Sequence, residues 1–131
     1  MVDQGYSLRR ATLSRADCVE LLAHADLARA VISVRCLPAA LPVRITMVDE
    51  RHLLVASSEA SVILAARRGD VLSIQIDGLE PDAATWSVMA SGLASAAAAT
   101  TDLSATMQEA FDRGATLISL PLSVVVGERI G

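Results

Sequence analysis

Between Leu53 and Asp77 the chain reads as a strand, a polar loop, a short helix and a second strand, with almost nothing between them. Leu53, Leu54 and Val55 form an apolar run, and Ser57, Ser58, Glu59 and Ser61 then separate it from Val62, Ile63, Leu64 and Ala65. The first run predicts a strand and the second a helix that opens in the serines. Arg67 and Arg68 place cations at the helix end, Gly69 and Asp70 stop it, and Val71, Leu72, Ile74 and Ile76 begin the next strand. A helix start presents unpaired N–H groups and the positive end of its dipole, so serines there are a candidate seat for a phosphate. Serines also cap helices that bind nothing.

The 131 residues suit one domain with a substantial core, and 53% hydrophobic residues exclude a disordered chain. A net charge of -4 argues against a nucleic-acid partner, which needs clustered cations. All 11 cationic residues are arginine. With no lysine, a Schiff-base, nucleophilic or phosphate-gripping lysine is excluded. The aromatic residues are Tyr6, Trp86 and Phe111, so the core must be aliphatic and a base-stacking platform is not expected. Cys18 and Cys36 form no CxxC pair, and His24 and His52 stand far apart, so neither a metal site nor a catalytic histidine is predicted. The first ten residues carry no hydrophobic signal core and no apolar run is long enough to span a bilayer, which together predict a cytoplasmic protein.

Taken in order, residues 1–12 read as a flexible arm and 13–131 as a single domain. Ser14 caps a helix with Cys18, Leu21, Leu22 and Ala25 on one face. A strand follows from Ala28 to Val34, then a turn over Arg35 to Pro38, then a strand from Ala39 to Val48. Pro42 has no N–H for a ladder and belongs at an edge or bulge, where free backbone groups can meet a ligand or the proline simply discourages aggregation. Gly78 to Thr85 reads as a solvated hairpin turn, Trp86 to Ala97 as one long strand with small residues after Gly92, and Thr100 to Arg113 as a helix burying Leu103, Met107, Ala110 and Phe111. Thr116 to Val126 is the last strand, with Pro121 at an edge or bulge. Six strands joined by short turns, with two or three helices, predict a mainly β (α+β) fold: an antiparallel, closed or nearly closed barrel. No GxGxxG or GxxxxGK[ST] motif occurs, which disfavours the nucleotide folds those motifs mark.

Several stretches together resemble the pyridoxamine 5'-phosphate oxidase-like flavin-nucleotide-binding split-barrel proteins, common in actinobacteria. Leu13-Ser14-Arg15 with Cys18 to Leu22 is similar to that family's opening helix, and Ala28-Arg29-Ala30-Val31 to its Gly-Arg first strand. Pro38 to Val43 is similar to its Pro-x-x-x-Pro-Val segment, Ile74-Gln75-Ile76-Asp77 to its strand ending in aspartate, and Trp86-Ser87-Val88 to its Gly-Trp-Ser-Val strand. Val126-Gly127-Glu128-Arg129-Ile130 is similar to the terminal Gly-Arg-Arg-Ile. The resemblance implies a six-stranded split barrel, a homodimer, and a flavin, FMN or the deazaflavin F420, in the groove between two subunits. It implies that Pro42, Val43 and Arg44 flank the flavin ring, that Ser57, Ser58 and Ser61 face its phosphate, and that Trp86 and Ser87 lie close by. Where the family has Gly-x-Lys opening the helix, this chain has Ala60-Ser61-Val62, which sets Val62 at the lysine position. Arg44, Arg67 or Arg68 could supply the missing cation. Flavin-dependent oxidoreduction is the first function this implies; the alternative is a dimeric binding or interaction module without cofactor.

Overall fold

In the computed structural model, residues 9–97 and 103–131 are described. The elements in chain order are β1 (Arg10–Thr12), α1 (Arg15–Ala23), β2 (Leu27–Val34), β3 (Leu37–Asp49), β4 (His52–Ser57) and α2 (Ala60–Arg68). β5 (Val71–Leu79), β6 (Thr85–Leu93), β7 (Ser95–Ala96), α3 (Ala105–Asp112), β8 (Thr116–Pro121) and β9 (Val124–Ile130) complete them. The strands make one antiparallel sheet in the order β1-β9-β6-β5-β2-β3-β4-β8-β7.

Two predicted strands bend, and their bends close the barrel. The segment from Trp86 to Ala97 becomes β6 and β7: β6 pairs with β5 and β9, whereas β7 pairs with β8. The segment from Thr116 to Val126 likewise divides after Pro121, β8 staying beside β4 while β9 crosses to β6. Each of the two bent segments, β6 with β7 and β8 with β9, therefore runs from one side of the strand order to the other. At this seam a Cβ on Gly92 would overlap the carbonyl oxygen of Pro121, so the missing side chain is what allows β6 to approach β8. With each bent pair taken as one strand, and β1 set aside, the six strands of the expected split barrel remain.

β1 is drawn from the arm expected to be flexible. Arg10 lies opposite Ile130 and Thr12 opposite Glu128, and the Arg10 guanidinium meets the Glu128 carboxylate at 2.8 Å. Residues 1–8 of that arm lie outside the described residues. The turn expected over Arg35 to Pro38 is tighter: Arg35 and Cys36 alone make it, at φ 52° and 66°, and Pro38 already pairs with Ser33. Positive φ at both positions gives the hairpin the twist of its strands, a geometry that glycine or asparagine adopts with less strain.

The barrel interior is aliphatic. Ile45, Leu53, Val55, Leu72, Ile74, Val88, Ile118 and Leu120 fill it, joined by Cys18 and Leu22 of α1 and Val62 and Ala66 of α2. The Ser14 hydroxyl caps α1 as predicted, accepting the Asp17 N–H at 3.1 Å. Gly69 (φ 68°) and Gly114 (φ 100°) take the left-handed conformation just after α2 and α3. α3 is shorter than predicted, starting at Ala105 with Ser104 as its cap; the expected start at Thr100 lies outside the described residues. It lies outside the barrel over β3 and β4, where Met107 is buried with Leu54, Ala56, Ala115 and Leu117 and Phe111 remains 43% exposed. β4 is thus covered on both faces, which is why Leu53 to Ala56 reads as an unbroken apolar run.

Candidate functional site

β3 outruns β4, and a groove opens where it does. Arg44 still pairs with Ala56, but Pro42 pairs only with Arg29 of β2. Pro42 stands past the point where the β4 ladder stops, the locally open edge that its missing N–H predicts. α3 forms the opposite wall. Between them lies a groove of about 380 Å³ lined by Leu27, Pro42, Val43, Arg44, Ser57 and Ser58 from the barrel, and by Thr106, Glu109, Ala110 and Arg113 from the α3 side.

Its polar groups are arranged in pairs. Ser57, only 3% exposed, accepts the Glu59 N–H at 3.0 Å, and among the described residues its hydroxyl hydrogen has no acceptor. The Thr106 hydroxyl donates to Asp26 Oδ1 at 2.7 Å, and Asp26 Oδ2 faces the Arg44 guanidinium at 3.5 Å, so Asp26 links α3 to the barrel. Arg113 pairs with Glu109 one turn earlier on α3, at 2.6 Å. Past Leu27 and Pro42 the groove continues into a smaller hollow beside Arg29, Gln75 and Asp77. There the Gln75 amide donates to the Ser87 hydroxyl at 3.3 Å.

The structure therefore brings Pro42, Val43, Arg44, Ser57 and Ser58 into one groove and sets Ser87 at its far end through Gln75. It does not bring Ser61 or Trp86 there. Ser61 lines a separate depression with Ile32, Pro38, Leu64 and Arg68, beneath the β2–β3 hairpin. Trp86 faces the barrel side of β6, packed against the core with its indole lying on Gly78, directly across the ladder. Arg67 and Arg68 are at the far end of α2, and Arg68 lines the same depression as Ser61. Val62 is fully buried in the barrel core, so a lysine at that position would place its ammonium among aliphatic side chains and not before a ligand.

Asp26, Thr106, Glu109 and Arg113 escape a reading of the sequence, because only the return of α3 over the sheet brings them to residues far away along the chain. The acidic loop before β6 also has a task beyond solvation: Glu80 and Asp82 both hold Arg129 of β9, Asp82 at 3.2 Å. Two groups with shifted ionisation lie away from the groove. Burial, with Asp17 nearby, pushes the Cys18 thiol up, and the Arg51 N–H, helped by His52, holds the Asp49 carboxyl below its usual range. Among the described residues no group of three or more His, Cys, Asp or Glu is placed to hold a metal.

The family model described as pyridoxamine 5'-phosphate oxidase matches residues 14–126, from the α1 cap into β9. The chain belongs to that family. No curated protein matches it. In structure it is similar to a FAD-binding protein from Mesorhizobium loti, 17% identical over 95% of this chain and 99% of that one, with a TM-score of 0.78. It is similar also to the FAD binding protein from Mycobacterium smegmatis, 20% identical over 92% of this chain and 98% of that one, with a TM-score of 0.66. At these identities the likeness establishes the fold. Both pyridoxamine 5'-phosphate oxidase family membership and the fold are thus those that the sequence resemblance implied.

Proposed function

We propose that this family member is a cytoplasmic, dimeric flavin-nucleotide-binding oxidoreductase, with the flavin lying along the groove between Pro42 and α3. The observation that carries this reading is convergence: Pro42, Val43, Arg44, Ser57 and Ser58, drawn from two strands and a loop, line one groove of about 380 Å³. That volume lies within the range of about 300–1,000 Å³ typical of small-molecule sites. The residues fit a phosphorylated flavin: Arg44 offers a cation, Ser57 a buried hydroxyl whose hydrogen has no acceptor among the described residues, and Pro42 with Val43 an apolar wall for a ring. A bound flavin would supply hydride or electron transfer to a small substrate. The protein's part is to bind, orient and exclude water, so no catalytic acid or base is required of it.

What supports a homodimer is the outer face of β5, β6 and β9. Val71 lies opposite Leu93, Ser91 opposite Val124 and Met89 opposite Val126, and no charged residue interrupts these rows. Val71, Leu93, Val124 and Val126 are each more than half exposed. Gln75, which pairs with Met89, belongs both to this face and to the groove's far end. A second copy seated there would cover the apolar rows and close the groove over its ligand. A location in the cytoplasm agrees with two unpaired cysteines, and no helix among the described residues is long and apolar enough to cross a membrane.

One observation favours a second reading, a module without cofactor: both groove arginines already face carboxylates, Arg44 with Asp26 and Arg113 with Glu109. Titration of the purified protein with FMN, FAD and F420, followed by flavin fluorescence and absorbance, separates the two. Micromolar binding of any one supports the flavin reading and ranks the cofactors. A colourless protein inert to all three supports the module. Sedimentation at micromolar concentration tests the dimer, and Leu93→Glu is expected to yield monomer.

A further inference from the structure

In a chain without lysine, arginine is the side-chain cation open to the phosphate of a flavin nucleotide, and the candidates apparent from sequence divide cleanly. Arg67 and Arg68 lie at the end of α2, away from the groove. Arg44 is inside it, yet its guanidinium lies against Asp26 and helps tie down α3 through Thr106. Arg113 is a fourth arginine, brought to the groove only by the fold. Its side chain is 78% exposed, and its partner Glu109 lines the same groove from the same helix.

We infer that Arg113, at the end of α3, grips the phosphate of the bound nucleotide from the wall opposite Arg44, with Glu109 as the counterion that a phosphate displaces. This rests on the flavin reading and adds a residue that the family pattern does not assign. An exposed i,i+4 pair contributes little to stability, so exchanging Glu109 for a phosphate sacrifices a weak contact for a stronger one. A guanidinium meets a phosphate through two parallel N–H bonds, a charge-assisted arrangement stronger than a neutral one. The buried Ser57 hydroxyl, whose hydrogen has no acceptor among the described residues, offers a further donor from the barrel wall.

The pair gives a test that separates binding from structure. If Arg113 and Glu109 serve only α3, Arg113→Gln and Glu109→Gln break the same contact and shift ligand affinity in the same direction. If Arg113 grips phosphate, the variants move FMN affinity oppositely. Fluorescence titrations of the full chain with FMN, and with riboflavin, which lacks the phosphate, are the measurement. We expect Arg113→Gln to weaken FMN about tenfold, Arg113→Lys to recover part of that, and Glu109→Gln to tighten FMN about threefold, with riboflavin changing less than about twofold throughout. Parallel shifts of FMN and riboflavin, or FMN affinity unmoved by Arg113→Gln, would overturn the inference and leave the flavin reading standing. A wild-type protein that binds neither ligand would overturn both.

Discussion

The space inside the barrel and the space beneath α3 are both apolar, but they are built on different scales. The interior draws buried aliphatic side chains from two helices and from every strand except β1, the short β7 and β9, whose Val125 packs against it half-buried. The outer cluster has five buried residues, with Met107 as the one large side chain α3 contributes, and a single Thr106–Asp26–Arg44 chain of polar contacts beside it. The two share β4, whose alternate residues enter one cluster and the other. Labour is divided between them: the barrel holds itself together, whereas the wall that completes the groove is fastened lightly to it. A ligand-binding surface placed there can adjust without unfolding the sheet.

The largest effect is expected at the seam. Gly92→Ala puts a methyl group into the Pro121 carbonyl and should cost about 3 kcal/mol or more, lowering the barrel and α3 together in a thermal melt. Met107→Ala should cost less, about 2 kcal/mol, and act mainly on α3: amide exchange there should speed up while protection in β4 and β5 persists. If β5 loses protection equally, the two spaces are one cooperative unit. Asp26→Asn, which weakens the link without emptying any space, should loosen α3 by about 1 kcal/mol or less and barely move the melting temperature.

The smallest effect lies at the β3–β4 turn. Asp49 has a lowered folded-state pKa because its carboxylate accepts the Arg51 N–H at 2.7 Å and faces His52 at 3.2 Å. A depressed carboxylate pKa adds stability above the unfolded value, near pH 4, and that contribution is lost as pH falls through the folded value. Denaturant midpoints measured from pH 6 down to pH 2 should therefore converge for wild type and Asp49→Asn at the acid end.

Much of this architecture was legible in the residues themselves. Alternation marked the strands, Ser14 and Gly69 marked helix ends, and Pro42 marked an open edge, because each signal is local. The bends were not legible: Gly92 announces a close approach, but that its neighbour is the Pro121 carbonyl depends on how the whole sheet curls. The turn after Val34 was legible but its tightness at Arg35–Cys36 was not, since neither residue is one that positive φ favours. In the site, the barrel side of the groove was readable from the family pattern, while Asp26, Thr106, Glu109 and Arg113 became visible only once α3 had folded back. Val62 illustrates the cost of position matching alone, since helical phase turns it into the core one residue after Ser61 faces outward.

The most direct test of the central claim, that the flavin occupies the groove between Pro42 and α3, is an FMN fluorescence titration of the wild type beside Ser58→Trp. Ser58 is exposed and lines the groove, so an indole there fills the space without disturbing the core. With the flavin in that groove, the wild type quenches FMN at micromolar concentration and the variant binds at least about tenfold more weakly at unchanged melting temperature. Equal FMN affinity in the two proteins would contradict it.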